Sequence, residues 1–122
     1  MKLSQLAEEY YFHDSSLEHA RFDEAKKEVV LDIELCTWMQ TWYSEETDAE
    51  IETIRLFFEN VMWCDLSDFK ASDYDEIVNV ELLPCINGAE GIKIHIESEN
   101  NYQMITIYAG DVQVIKSETN KD

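Results

Sequence analysis

The stretch Phe12–Trp38, FHDSSLEHARFDEAKKEVVLDIELCTW, carries the plainest structural signal in the chain. Val29, Leu31, Ile33 and Leu35 are apolar, and Asp32 and Glu34 between them are charged. A period of two marks a strand with one wet face and one buried face. Leu17 to Phe22 reads as the strand before it. The polar run Asp23-Glu24-Ala25-Lys26-Lys27 is the turn, and Lys27 to Cys36 is the hairpin partner. Upstream, Leu3, Leu6, Ala7, Tyr10 and Tyr11 recur at helical spacing with Glu8 and Glu9 facing elsewhere, which predicts a helix over 3–11. Asp14-Ser15-Ser16 breaks the chain between helix and strand.

Downstream, Thr37 to Ala49 reads as a connection. Ile54, Leu56 and Phe58 then share one strand face, and Thr53, Arg55 and Glu59 the other. Glu59-Asn60 reads as a bulge or tight turn, followed by the apolar Val61, Met62, Trp63, Cys64 and Leu66. Ser67 to Glu76 is a polar loop or short helix, with Phe69 and Tyr74 as its packing residues. Ile77 to Leu83 is strand-like, and Asn87-Gly88 is a turn signal. Ile92, Ile94 and Ile96 alternate with Lys93, His95 and Glu97. Glu99-Asn100-Asn101 turns the chain into Tyr102–Ala109, and Gly110-Asp111 turns it again before Val112, Val114 and Ile115. The tail Ser117–Asp122 is polar. The expected fold is mainly β (α+β): an antiparallel β-sandwich or curled sheet of about seven or eight strands with one N-terminal helix, by turn spacing. At 122 residues, with one proline and three glycines, residues 1–122 are expected to form a single domain.

Acidic residues outnumber basic ones 27 to 9, for a net charge of −18 at pH 7. Binding to nucleic acid or an anionic membrane needs the opposite sign, so neither is expected. A negative field steers basic proteins or cations to the surface. It also keeps a chain soluble, although about 2–8 charges suffice for that. Cys36, Cys64 and Cys85 are far apart and odd in number, which suits a reducing, cytoplasmic setting. The opening Met1-Lys2-Leu3-Ser4-Gln5-Leu6 lacks the apolar run of a signal peptide, and no segment has the length of a membrane span.

No residues combine into catalytic chemistry. His13-Asp14 invites comparison with metal-dependent phosphohydrolases, but His13, His19 and His95 are the only histidines on offer as ligands. Side-chain-to-backbone bonds by Asp14, Ser15 and Ser16 at the corner explain the pair more simply. No glycine-flanked serine elbow or phosphate-binding glycine loop is present, and Cys85 is the thiol best placed for exposure. The run Asp65, Asp68, Asp73, Asp75, Glu76 lacks EF-hand spacing and reads as a solvated acidic face. Choosing a glycosidase carboxylate pair among so many acids is arbitrary. No cofactor or metal is expected.

The segment Trp38 to Glu52 differs, because Trp38, Trp42 and Tyr43 are followed at once by Glu45, Glu46, Asp48, Glu50 and Glu52. Aromatic anchors are enriched in binding hot spots, and flanking carboxylates complement a basic partner. The plainer alternative is that the tryptophans cap the end of the core.

Phe12-His13-Asp14-Ser15, then Leu17, Phe22-Asp23 and Val29-Leu31-Ile33-Leu35, resembles the start of small uncharacterised bacterial β-rich proteins. Leu56-Phe57-Phe58-Glu59-Asn60-Val61 and Ile107-Tyr108-Ala109-Gly110-Asp111-Val112-Gln113-Val114 fit loosely. Some of those proteins are grouped with the immunity proteins of polymorphic toxin systems. The resemblance implies a β-rich fold and, for the immunity members, tight binding to a toxin; it transfers no functional residue.

The expected function is therefore a non-enzymatic protein–protein interaction module, such as an immunity protein that occludes a basic toxin. Its face is Trp38, Trp42, Tyr43, Glu45, Glu46, Asp48 and Glu50. The alternative is a small-molecule-binding or enzymatic domain near His13/Asp14, with His19, His95 and Cys85 as further candidates. Self-association through a sheet edge or the aromatic patch is a third possibility.

Overall fold

The structure is a computed structural model and describes residues 1–66, 69–70, 72, 74–99 and 101–116. Of the residues singled out above, Ser67, Asp68, Asp73, Asn100 and the tail Ser117–Asp122 lie outside the described residues. Helix α1 (Leu3–Glu9) precedes strands β1 (Ser16–Asp23) and β2 (Glu28–Cys36). A single 3₁₀ turn (Thr37–Met39) follows, then β3 (Ile51–Asp65), β4 (Asp75–Ile86), β5 (Ala89–Ser98) and β6 (Asn101–Lys116). All pairings are antiparallel, in the order β1-β2-β3-β6-β5-β4, and the sheet closes on itself as a barrel.

The first hairpin forms as its alternation dictates. Lys27 takes a left-handed φ of 56°, and Asp23 Oδ1 accepts the Lys26 N–H at 3.2 Å. The inward residues stack in rows across the strands. Val29, Phe58 and Val112 are in register and fully buried, Leu31 faces Leu56, and Ile33 faces Ile54. Ile94 and Ile105 meet in the same way on the far wall. Such interdigitated rows fill a small barrel rather than leaving a lumen.

The mainly β fold with one N-terminal helix is as expected, but among the described residues six strands replace the expected seven or eight. The supposed turn at Gly110 and the choice left open at Glu59-Asn60 are the cause. Asn60, at φ 55°, does not end its strand; β3 runs on through a bulge between Val61 and Trp63. Gly110 does not end β6. The register sets Glu59 opposite Asp111 and Val61 opposite Ala109, so Asn60 and Gly110 face each other. A Cβ on Gly110 would come within 3.2 Å of the Asn60 Cβ. The two breakers bend a pair of long strands together, as closure of a barrel demands.

Tyr108 is another adjustment. It shares the outer face with Tyr102 and Met104, yet it is buried because its ring lies across Gly91, its partner on β5. A Cβ on Gly91 would collide with that ring. The ring thus covers a glycine in the sheet, and Trp63 leans against it at 6.2 Å.

The helix is shorter than 3–11. The chain turns extended at Tyr10, so Tyr11 points outward while Leu3 and Leu6 stay in the core. The α-amino group of Met1 binds Asp111 Oδ1 and the Val112 carbonyl, both at 2.9 Å, and Ser4 binds the Glu90 carboxylate. These contacts hold α1 against β4, β5 and β6.

The segment after β3 is pinned by a buried polar chain. Phe69 packs on the core, but Tyr74 is exposed and donates to Glu76 instead of packing. Asp75 is 5% exposed and accepts from the Ser72 N–H (2.7 Å), the Ser72 hydroxyl (2.7 Å) and the Ser98 hydroxyl (2.6 Å). Gln103 continues the chain to Ser98 and to the Lys70 backbone. Burial alone raises the Asp75 pKa. The bonds from the Ser72 backbone, Ser98 and the Ser72 hydroxyl outweigh it and hold the group below its ordinary 3.8. A depressed carboxyl adds stability that is complete above that value and is lost as pH falls through the folded one. The stability gap between wild type and Asp75→Asn should therefore narrow in urea titrations from about pH 6 to about pH 3. Self-repulsion of the acidic surface relaxes alike in both, so parallel curves would refute the assignment.

Candidate functional site

The connection from Cys36 to Ile51 is built as a loop with a rigid base. Its aromatic and acidic residues cannot all enter a filled barrel, so the base is held by polar side chains. Thr37 N–H donates to the Glu50 carbonyl at 2.9 Å, and its hydroxyl donates to the Ala49 carbonyl. The buried Gln40 spans to the chain leaving α1. Its Oε1 accepts the Tyr11 N–H at 2.8 Å, and its Nε2 donates to the Tyr11 carbonyl (2.6 Å) and the Cys36 carbonyl (3.0 Å). Asp48 closes the tip by accepting the Ser44 N–H at 2.9 Å.

On this base Trp38 is 53% exposed and Trp42 39% exposed. The Trp42 ring stands edge-on to Tyr10 (6.4 Å), which stacks on the core residue Phe12 (5.9 Å). Lys116 Nζ lies 4.8 Å above the Trp42 ring and 3.9 Å from Glu52 Oε1. Among the described residues, no cation lies within ion-pair distance of Glu45, Glu46 or Glu50. Tyr43 shares their field: desolvation first, then Glu50, Glu45 and Asp48, push its phenol pKa up.

The other candidates fall in four separate places. His13 stacks on Tyr11 at 5.8 Å, and its Nδ1 lies 3.2 Å from Asp14 Oδ1 without hydrogen-bond alignment. Asp14 adopts φ 70°, and its N–H donates to the Ile77 carbonyl at 3.0 Å, while the Ile77 N–H donates to the Ser15 carbonyl at 2.7 Å. These bonds, with the pair Ser16–Glu76, close β1 on β4. The Ser15 hydroxyl accepts the Cys36 N–H at 2.9 Å. A hydrogen bond shared with Asp14 raises the Glu76 pKa, with burial and the Asp14 charge adding to it against Tyr74 and His13. The bond to Glu76 pushes Tyr74 up to about 12.

His19 stands on the outer face, 3.7 Å from Asp32, which grips Arg55 through two bonds of 2.7 and 3.2 Å. His95 lies outside β5, between Glu81 Oε1 (3.0 Å) and the Tyr102 hydroxyl (2.7 Å). Cys85 is exposed near the β4–β5 turn, and all three cysteines are free thiols. These residues do not converge on one pocket.

The barrel interior has an apolar gap of about 10 Å³ beside Leu6, Phe12 and Leu56, at the lower limit for one water. The larger depressions are open and external. One of about 500 Å³ runs over Glu18, His19, Glu34, Thr53 and Ile115 to Lys116. Among the described residues, no group of three or more His, Cys, Asp or Glu is arranged to hold a metal ion, and no helix is long and apolar enough to cross a membrane.

No protein family, curated protein or solved structure matches the chain. The sequence points to Trp38, Trp42 and the carboxylates through Glu52 but not to Gln40, Tyr10 or Lys116 as their neighbours. Only Lys116 carries any signal, as a charge opposite to that of Glu52 on another strand. Bringing them together requires knowing that β3 lies beside β6.

Proposed function

We propose that this protein is an interaction module that binds a basic protein through the loop bearing Trp38, Trp42, Tyr43, Glu45, Glu46, Asp48 and Glu50. The supporting observation is a pair of half-exposed tryptophans on a firmly based loop, beside glutamates with no cationic partner among the described residues. Exposed aromatic rings give up apolar surface to a partner and are enriched among the residues that dominate binding energy. The carboxylates accelerate encounter. An immunity protein against a cationic nuclease toxin is the concrete form: the carboxylates would occupy the lysines and arginines that such an enzyme uses on phosphate. Three free thiols suit the cytoplasm. The reading of a small-molecule or enzymatic site near His13/Asp14 has less support, because Asp14 and Ser15 are engaged in closing the barrel.

The test is capture from lysate of the native cell, with kinetics on the recovered partner. A basic protein should be recovered, and its association should slow as salt rises. The triple change Glu45→Gln, Glu46→Gln, Glu50→Gln should slow association about tenfold, and Trp38→Ala should speed dissociation. Recovery of no basic protein at any ionic strength defeats the proposal.

A further inference from the structure

Lys116 is one of nine basic residues in a chain with 27 acidic ones, and it lies over an aromatic ring. Trp42 is held from below by Tyr10 and, through it, by Phe12, so its position is set by the core. Two depressions flank it. One, about 450 Å³, is bordered by Glu8, Glu9, Tyr10 and Thr41; the other, about 140 Å³, by Thr47, Asp48 and Glu52. Trp42 and Lys116 border both. The local potential is negative: after burial, the charges of Glu9 and Glu52 raise the Tyr10 phenol pKa. An aromatic face with carboxylates around it is the chemistry that holds an ammonium or guanidinium group.

We propose that the notch around Trp42 is the seat for a lysine or arginine side chain of a basic protein partner, and that Lys116 fills it until the partner displaces it. This rests on the reading above and names the point on the face where the partner's cation is held. Lys116 is a weak occupant. Its side chain is half exposed, and its Nζ stands 3.9 Å from the Glu52 carboxylate, against about 2.7–2.9 Å for a charge-assisted hydrogen bond. A cation entering from solvent over either depression reaches the same ring and can approach Glu8, Glu9 or Asp48 more closely. The chain therefore carries an intramolecular competitor that lowers its affinity for loose cations and leaves the site to a partner bringing further contacts.

The probe is an octalysine peptide, titrated at low salt and followed by the indole N–H resonances. In the wild type the Trp42 resonance should move, and that of Trp63, toward the other end of β3, should stay. Lys116→Gln should tighten octalysine binding about two- to fivefold, the worth of one exposed cation–π contact. Lys93→Gln, on the outer face of β5, changes the net charge equally without touching the notch and should tighten it less. When Trp42→Ala is already present, adding Lys116→Gln should give no more tightening than Lys93→Gln does. Trp42→Phe, which keeps an aromatic face, should preserve part of the extra effect. Equal tightening by Lys116→Gln and Lys93→Gln in the otherwise native chain overturns the notch, as does a Trp42 resonance unmoved by the peptide. Either result leaves the wider interaction reading intact, since that reading fails only if no basic protein is captured.

Discussion

Phe58→Ala is expected to lower the unfolding free energy by about 3–5 kcal/mol. The Phe58 ring is 0% exposed and stands in register between Val29 and Val112, both also fully buried. Removing it opens a void at the middle of three hydrogen-bonded strands. Their backbones cannot slide inward to fill it without breaking ladder bonds, so relaxation recovers little. A domain of this size has about 5–15 kcal/mol in all, and the loss is a large share of it. The urea midpoint should fall with an unchanged slope. A shift below about 1 kcal/mol would mean that the centre of the barrel is not packed as described.

Gln40→Ala is expected to cost about 2–3 kcal/mol and to weaken partner binding as well. Its amide satisfies one N–H and two carbonyls, at Tyr11 and Cys36. Truncation strands the inner carbonyl of Cys36 at full desolvation cost, while water can reach part of the Tyr11 group. Gln40→Glu is the sharper variant. It keeps the shape but sets a carboxylate oxygen against two carbonyl oxygens, and it should be at least as destabilising as Gln40→Ala. Tolerance of glutamate there would show that the amide does not hold the loop. Because the loop base carries Trp38 and Trp42, the two tryptophans should also become more solvent-exposed, read as a red shift of their emission.

Much of the fold was legible from the residues. The alternation of Val29, Leu31, Ile33 and Leu35 with Asp32 and Glu34 assigned both the strand and its buried face, since side chains in a strand can point only two ways. The same rule placed Ile54, Leu56 and Phe58 inside. Turn propensity put a turn at Gly110 where the strand continues, and at Asn60 it left a bulge and a turn both open. A glycine or an asparagine with positive φ permits either a turn or a bend, and the choice lies with the neighbouring strand. Helical spacing misplaced Tyr11, and the aromatic character of Tyr74 suggested a packing role it does not have; their faces depend on where α1 ends and on the hydrogen bond to Glu76.

The candidate site divided along the same line. Tryptophans followed by carboxylates were visible in order along the chain. The half-exposure of Trp42, its rest on Tyr10 and its cation from Lys116 were not, because those residues are far apart in sequence. Composition and periodicity by themselves determined an acidic, strand-rich chain and the buried faces of β2, β5 and the first half of β3, for these depend only on local geometry and on charge. Barrel closure, the bending of β3 with β6 and the meeting of Trp42 with Lys116 were decided by tertiary structure. They arise from pairing between distant strands, and the register of such pairs is set by the packing of the whole core.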